Sequence, residues 1–128
     1  MRVLFVEDDP MNRRVVKDML SVAGAQMAEA EDAESGLRMI EEESFNVILM
    51  DLRMPGMDGM TAIKRIRERE DDKAGLPVIV VTADTGARIR EDCMENGADE
   101  VILKPVAMKA LFDAMGKMIV RHAKRAAA

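Results

Sequence analysis

An open α/β domain, a doubly wound parallel sheet of five strands in the order 2-1-3-4-5 with five helices, is the fold class this 128-residue sequence predicts. Three observations carry that expectation. Strand-like and helix-like patterns alternate from end to end, giving five βα units whose right-handed crossovers put helices on both faces of a parallel sheet. Two runs, 46–50 and 77–81, are almost wholly apolar, as strands covered on both faces are. Residues able to do chemistry gather at strand ends: Glu7-Asp8, Asp51 and Lys104-Pro105. In such sheets the functional crevice lies outside the carboxyl ends of strands one and three, which should bring Glu7-Asp8 and Asp51 together.

Each element has its own local cause. Residues 2–6 form a short apolar strand. Asp9-Pro10 then reads as an N-cap followed by proline at the first helical position. Val15, Val16, Met19, Leu20 and Ala23 make a helical stripe, and Gly24 is the natural stop. A polar strand at 26–30 suits a sheet edge. The helix over 33–43 carries Leu37 and Ile40 on its buried side. Strand 46–50 is the strongest, and Asp51 sits where it should end. Arg53-Met-Pro-Gly-Met-Asp-Gly59 imposes an irregular loop, with Gly56 and Gly59 as turn residues and Asp58 as the next helix cap. That helix, 59–69, should bury Met60, Ile63 and Ile66 and expose Lys64, Arg67 and Glu68. Residues 71–75 read as a solvated loop. A helix over 86–96 ends at Asn96-Gly97, strand 101–103 follows, and a helix over 107–124 finishes the pattern.

Composition excludes several classes. At 48% hydrophobic residues the chain can bury a core, so disorder is not expected. No stretch approaches the ~18 apolar residues of a membrane span. Met1 runs almost directly into a strand, so no signal peptide is expected. A lone Cys93 cannot support a disulfide framework, and a cytoplasmic location is expected. The net charge of −5, with interleaved acids and bases, argues against a nucleic-acid binder. A basic run from Lys117 to Arg125 reads as cations complementing a helix C-terminus, and His122 within it as a surface residue. With three Phe and no Trp or Tyr, the core must be aliphatic, and most of the thirteen methionines should fill its gaps. The expected organisation is one domain over 1–125, a short tail at 126–128 and no effector domain.

Clustered carboxylates repel by roughly 4 kcal/mol per pair about 4 Å apart at an effective dielectric near 20. They must hold a proton or recruit a cation. Hard oxygen ligands with no nearby His or Cys point to Mg²⁺. A carboxylate beside Mg²⁺ and an ammonium can attack phosphorus to give an acyl phosphate. Lys104 would offset charge on the phosphoryl oxygens, and Thr82 offers them a hydroxyl.

Four segments, Val6–Pro10, Leu49–Gly59, Val81–Ala83 and Leu103–Pro105, resemble in order and spacing the signatures of response-regulator receiver domains, including the chemotaxis-regulator-like single domains of flavodoxin-like fold. The resemblance implies a phosphoacceptor at Asp51 and Mg²⁺ bound by Asp8 and Asp51 directly, by Glu7 through a water, and by the Arg53 backbone carbonyl. It implies that Thr82 and Lys104 bind the phosphoryl oxygens, and that Lys104-Pro105 is a cis peptide. A histidine kinase or histidine phosphotransfer protein would be the donor, and an output protein would dock near residues 86–124. Such a protein is a phosphoprotein switch of a two-component system or phosphorelay, not a turnover enzyme. Two features mark this chain. Val101 stands where many receivers have an aromatic residue, so an aromatic flip cannot report phosphorylation. Arg53 and Asp84 would flank the path of the attacking water and could shield the acyl phosphate.

Other readings fit less well. An aspartate-dependent phosphohydrolase would place its nucleophile after the first strand with a second Asp two positions on; here Arg53 occupies that place relative to Asp51. A flavodoxin-like electron carrier would need an aromatic to stack on its flavin. A degenerate receiver serving only as a docking module sits poorly with an intact set of Glu7, Asp8, Asp51, Thr82 and Lys104.

Overall fold

The computed structural model describes residues 1–127, with side chains through residue 121; the expectation for His122 and the end of the basic run lie outside the described side chains. The elements are β1 (Arg2–Val6), α1 (Pro10–Val22), β2 (Gln26–Ala30), α2 (Ala33–Glu42), β3 (Val47–Asp51), α3 (Gly59–Arg67), a 3-10 turn (Asp72–Gly75), β4 (Val78–Thr82), α4 (Ile89–Glu95), β5 (Glu100–Leu103) and α5 (Met108–Ala127). All strand pairs are parallel and the order is β2-β1-β3-β4-β5.

Strand residues alternate between two cores, because successive side chains point to opposite faces. Leu4, Val6, Ile48, Met50, Val78 and Val80 pack with α2, α3 and Cys93 of α4 on one face. Val3, Phe5, Val47, Leu49, Ile79 and Val81 pack with α1 and α5 on the other. Every residue of β3 and β4 is buried, as their composition requires. Met50, Met54, Met115 and Met118 are buried, and several other methionines lie against the two cores.

The expected caps are present. The Asp9 carboxylate accepts from the Met11 amide at 2.8 Å and that of Asp58 from Thr61 at 2.8 Å. Asp32 does the same for α2 through Ser35. Gly24 and Gly97 end their helices with φ of 75° and 111°.

Several local expectations are corrected. Val15 is exposed, as is Ala23 just past the helix end, because α1 meets the sheet through Val16 and Leu20, four residues apart on one face. Leu37 and Met60 are only partly buried, at the margins of their helix faces. Arg67 is not a solvated cation. Its guanidinium donates to the carbonyls of Ala74, Leu76 and Gly97 and to the Asp99 carboxylate, tying α3 to the turns on either side of β4 and α4. Lys73, in the expected solvated loop, reaches the Ile40, Glu41 and Glu43 carbonyls at the end of α2. Those orphan carbonyls attract a cation, so the loop folds back as a 3-10 turn. β3 and β4 each run one residue later than expected. The fourth helix begins at Ile89 rather than 86, because Asp84 accepts from the Gly86 amide and holds that stretch in a turn.

Candidate functional site

Three strand ends converge on one edge of the sheet. β1 ends at Val6, but Glu7 stays attached through its amide to the Ala30 carbonyl at 2.9 Å, which drives its side chain into the interior. Glu7 is 0% exposed. Asp51 is the last residue of β3 and 4% exposed, while Asp8 is exposed on the rim. One carboxylate oxygen from each of Glu7, Asp8 and Asp51 lies within 4.8 Å of the others. The three acids named from sequence therefore do meet.

Lys104 arrives from the end of β5, where its amide donates to the Thr82 carbonyl at 2.8 Å and the Lys104-Pro105 peptide is cis. Its Nζ lies 2.8 Å from Glu7 Oε1 and 3.5 Å from Asp51 Oδ2. Burial would lower the ammonium's pKa, but the two carboxylates outweigh it and hold the group above its usual value. Thr82, the last residue of β4, is buried, and its Oγ1 accepts from the Asp84 amide at 3.1 Å.

Two residues beyond Asp51 and Thr82, Arg53 and Asp84 form an ion pair at 2.9 Å, joining the loops after β3 and β4. They border an open depression of about 560 Å³ with Leu52, Met54, Pro55, Asp58 and Met60. Gly59 has a different part from the expected turn. A Cβ there would sit 2.1 Å from the Asp51 carbonyl oxygen, so only glycine lets α3 begin against the backbone of the acidic strand end. Gly56, with φ of 82°, is the turn glycine.

Glu7 is the unusual group. Its Oε1 accepts from Asn12 Nδ2 at 2.6 Å as well as from Lys104, yet Oε2 is buried with no partner. Burial, then the neighbouring Asp51, pushes its pKa up to about 7. An orphaned buried oxygen beside two further carboxylates fits a divalent cation, which would satisfy the oxygen and relieve the repulsion. All the donors are hard oxygens, the ligand set of Mg²⁺.

Two residues at this site escaped the sequence reading. Asn12 donates to the Glu7 carboxylate, and Arg13 donates to the Glu7 carbonyl at 2.6 Å. A signal was available: Asp9-Pro10 fixes where α1 begins, so positions 12 and 13 fall on its first turn beside the strand end.

The model of the response regulator receiver domain matches residues 3–116. The sensor protein GacS of Pseudomonas syringae pv. syringae is 34% identical over 112 residues, 86% of this chain and 12% of that protein. The sensor histidine kinase RcsC of Salmonella typhi is 37% identical over 111 residues, 87% of this chain and 11% of that protein. The chain thus spans only a small part of the curated relatives it matches. Among solved structures, the receiver domain of a Pseudomonas aeruginosa sensor histidine kinase, described with a magnesium ion coordinated in its active-site cleft, superposes with a TM-score of 0.84 at 31% identity, covering 92% of this chain and 96% of that one. A CheY-like receiver domain protein from Methanospirillum hungatei gives a TM-score of 0.87 at 28% identity, covering 97% of each chain.

Proposed function

Because the chain belongs to the response regulator receiver domain family, we propose that it takes a phosphoryl group from a phosphohistidine onto Asp51. The donor is a histidine kinase or histidine phosphotransfer protein. The observation that carries this reading is the meeting of three carboxylates from separate segments beside one ammonium at the carboxyl edge of the sheet.

In this reading an Asp51 oxygen attacks phosphorus, forming a P–O bond as the donor's P–N bond breaks. Lys104, already 3.5 Å from Asp51, pairs with the transferred group, and the Thr82 hydroxyl donates to one of its oxygens. Asp8 and Asp51 would hold Mg²⁺ directly, Glu7 through a water, and Arg53 through its backbone carbonyl. The bound ion would neutralise charge on the phosphoryl oxygens. Positioning and charge compensation supply the rate, and the protein changes state without turning over an external substrate.

Phosphorylation can bias the fold only as far as the second conformer favours the phosphoryl group. Output would pass through residues 86–124, where α4 lacks a side-chain N-cap and Arg90, Leu103, Asp113 and Lys117 border a depression between β5 and α5. No helix among the described residues is long and apolar enough to cross a membrane.

The test is incubation of wild type and Asp51→Ala with a small phosphodonor and Mg²⁺, read by intact mass. The wild type should gain one phosphoryl group and the variant none. An equal gain in the variant removes Asp51 as acceptor. Phosphotransfer profiling against the histidine kinases of the source organism would then identify the donor.

A further inference from the structure

Glu7 is held by two donors of different kinds. Both act on Oε1: the neutral Asn12 amide at 2.6 Å and the Lys104 ammonium at 2.8 Å. Oε2 is buried and left without a partner, in a carboxylate that comes within reach of Asp8 and Asp51. A carboxylate fixed through one oxygen cannot rotate freely, so its second oxygen keeps one direction. Lys104 is a shared donor, because Asp51 Oδ2 lies only 3.5 Å from the same Nζ. A phosphoryl group on Asp51 adds negative charge that draws the ammonium away from Glu7. The amide has no competing carboxylate among its contacts, and its place is set by the Asp9 cap and Pro10 at the start of α1.

From this geometry we propose that Asn12 is a positioning residue for the divalent cation: its amide holds Glu7 Oε1 so that Oε2 stays turned toward the ion, whether or not Lys104 is engaged elsewhere. The residue type follows from electrostatics. A cation at position 12 would repel the metal, and a carboxylate would repel Glu7; an amide anchors the carboxylate without altering the charge of the cluster. Groups that orient metal ligands in this way typically affect affinity by about 10- to 100-fold. This inference rests on the acidic cluster being a Mg²⁺ site.

The experiment is an NMR titration of the full ¹⁵N-labelled chain with Mg²⁺, without phosphodonor, for wild type, Asn12→Leu, Glu7→Gln and the double variant. Asn12→Leu should weaken Mg²⁺ by about 10-fold. The double variant should bind no more weakly than Glu7→Gln, because Asn12 acts only through Glu7. Affinity of Asn12→Leu within about twofold of wild type overturns the proposal. So does an equal loss in both backgrounds, which would mean a role in the helix rather than in the carboxylate. Asn12→Ser, too short to reach Glu7, is read the same way should the leucine variant fail to fold. A wild type that binds no Mg²⁺ overturns the cation site itself; wild-type binding with an unaffected Asn12→Leu overturns this inference alone.

Discussion

Glu7 carries its ionisable group where water cannot solvate it, and this makes the metal-free protein pH-sensitive in a definite direction. Its pKa lies near 7 when folded, above the ordinary 4.5, chiefly through burial and then through Asp51. The folded state therefore binds this proton more tightly than the unfolded chain. The stability contributed is complete below about 4.5 and is lost as pH rises through about 7. Glu7→Gln should accordingly raise the melting temperature of chelator-treated protein at about pH 8 and change it little at about pH 4. An offset of the same size at both pH values would remove Glu7 as the cause. Arg53 and Asp84 work differently. The Arg53 side chain is 80% exposed, so the pair contributes at most about 1 kcal/mol to stability. Because the pair joins the loops that follow Asp51 and Thr82, its effect is expected on acyl-phosphate lifetime instead. Arg53→Gln combined with Asp84→Asn should speed decay several-fold while unfolding free energy moves by less than about 1 kcal/mol. A decay rate unchanged in radiolabel-release measurements would leave the pair with no kinetic part.

At the scale of elements, the helix starts were legible because caps are local chemistry. Asp9-Pro10 and Asp58 announce α1 and α3 through hydrogen bonds spanning two or three residues. α4 was harder. Arg88 offers its first turn no side-chain cap, and the preceding turn is set by Asp84, which also answers to Arg53 from another loop. Arg67 and Lys73 read as surface cations until α3, α2 and the 3-10 turn come together around their donors. Gly59 shows the same limit. Its turn-like company hides that α3 must begin against the Asp51 backbone. Gly59→Ala should cost about 3 kcal/mol by overpacking that contact. Gly75→Ala, with nothing within 4 Å of the new methyl, should stay within about 0.5 kcal/mol. Urea unfolding of the two variants checks this, and equal midpoints would show that the strand end yields freely.

For the molecule as a whole, two cores on opposite faces of one sheet hold β1, β3 and β5 so that their ends share an edge. A cation gathered there binds the folded state and not the separated segments. Mg²⁺ at about 100 times its dissociation constant should therefore stabilise the wild type by roughly 2.7 kcal/mol. Asp8→Asn should lose most of that gain, as read from denaturant unfolding with and without the ion. An undiminished gain in the variant would take Asp8 out of the ligand set.

Hydrophobic runs, caps and the alternation of strand and helix are properties of neighbours along the chain, and they specified five βα units and which strand ends would carry the acids; the strand order then followed from the general rules of doubly wound sheets. Periodicity and propensity act over a few residues, so they need no knowledge of the rest. The burial of Glu7, its unpartnered oxygen, the amide of Asn12 upon it and the sharing of Lys104 between two carboxylates arose only in three dimensions. Lys104 and Glu7 stand 97 positions apart. Their contact depends on distances and desolvation created when the sheet closes, and no pattern along the chain encodes a side chain's final rotamer or its last unpaired oxygen.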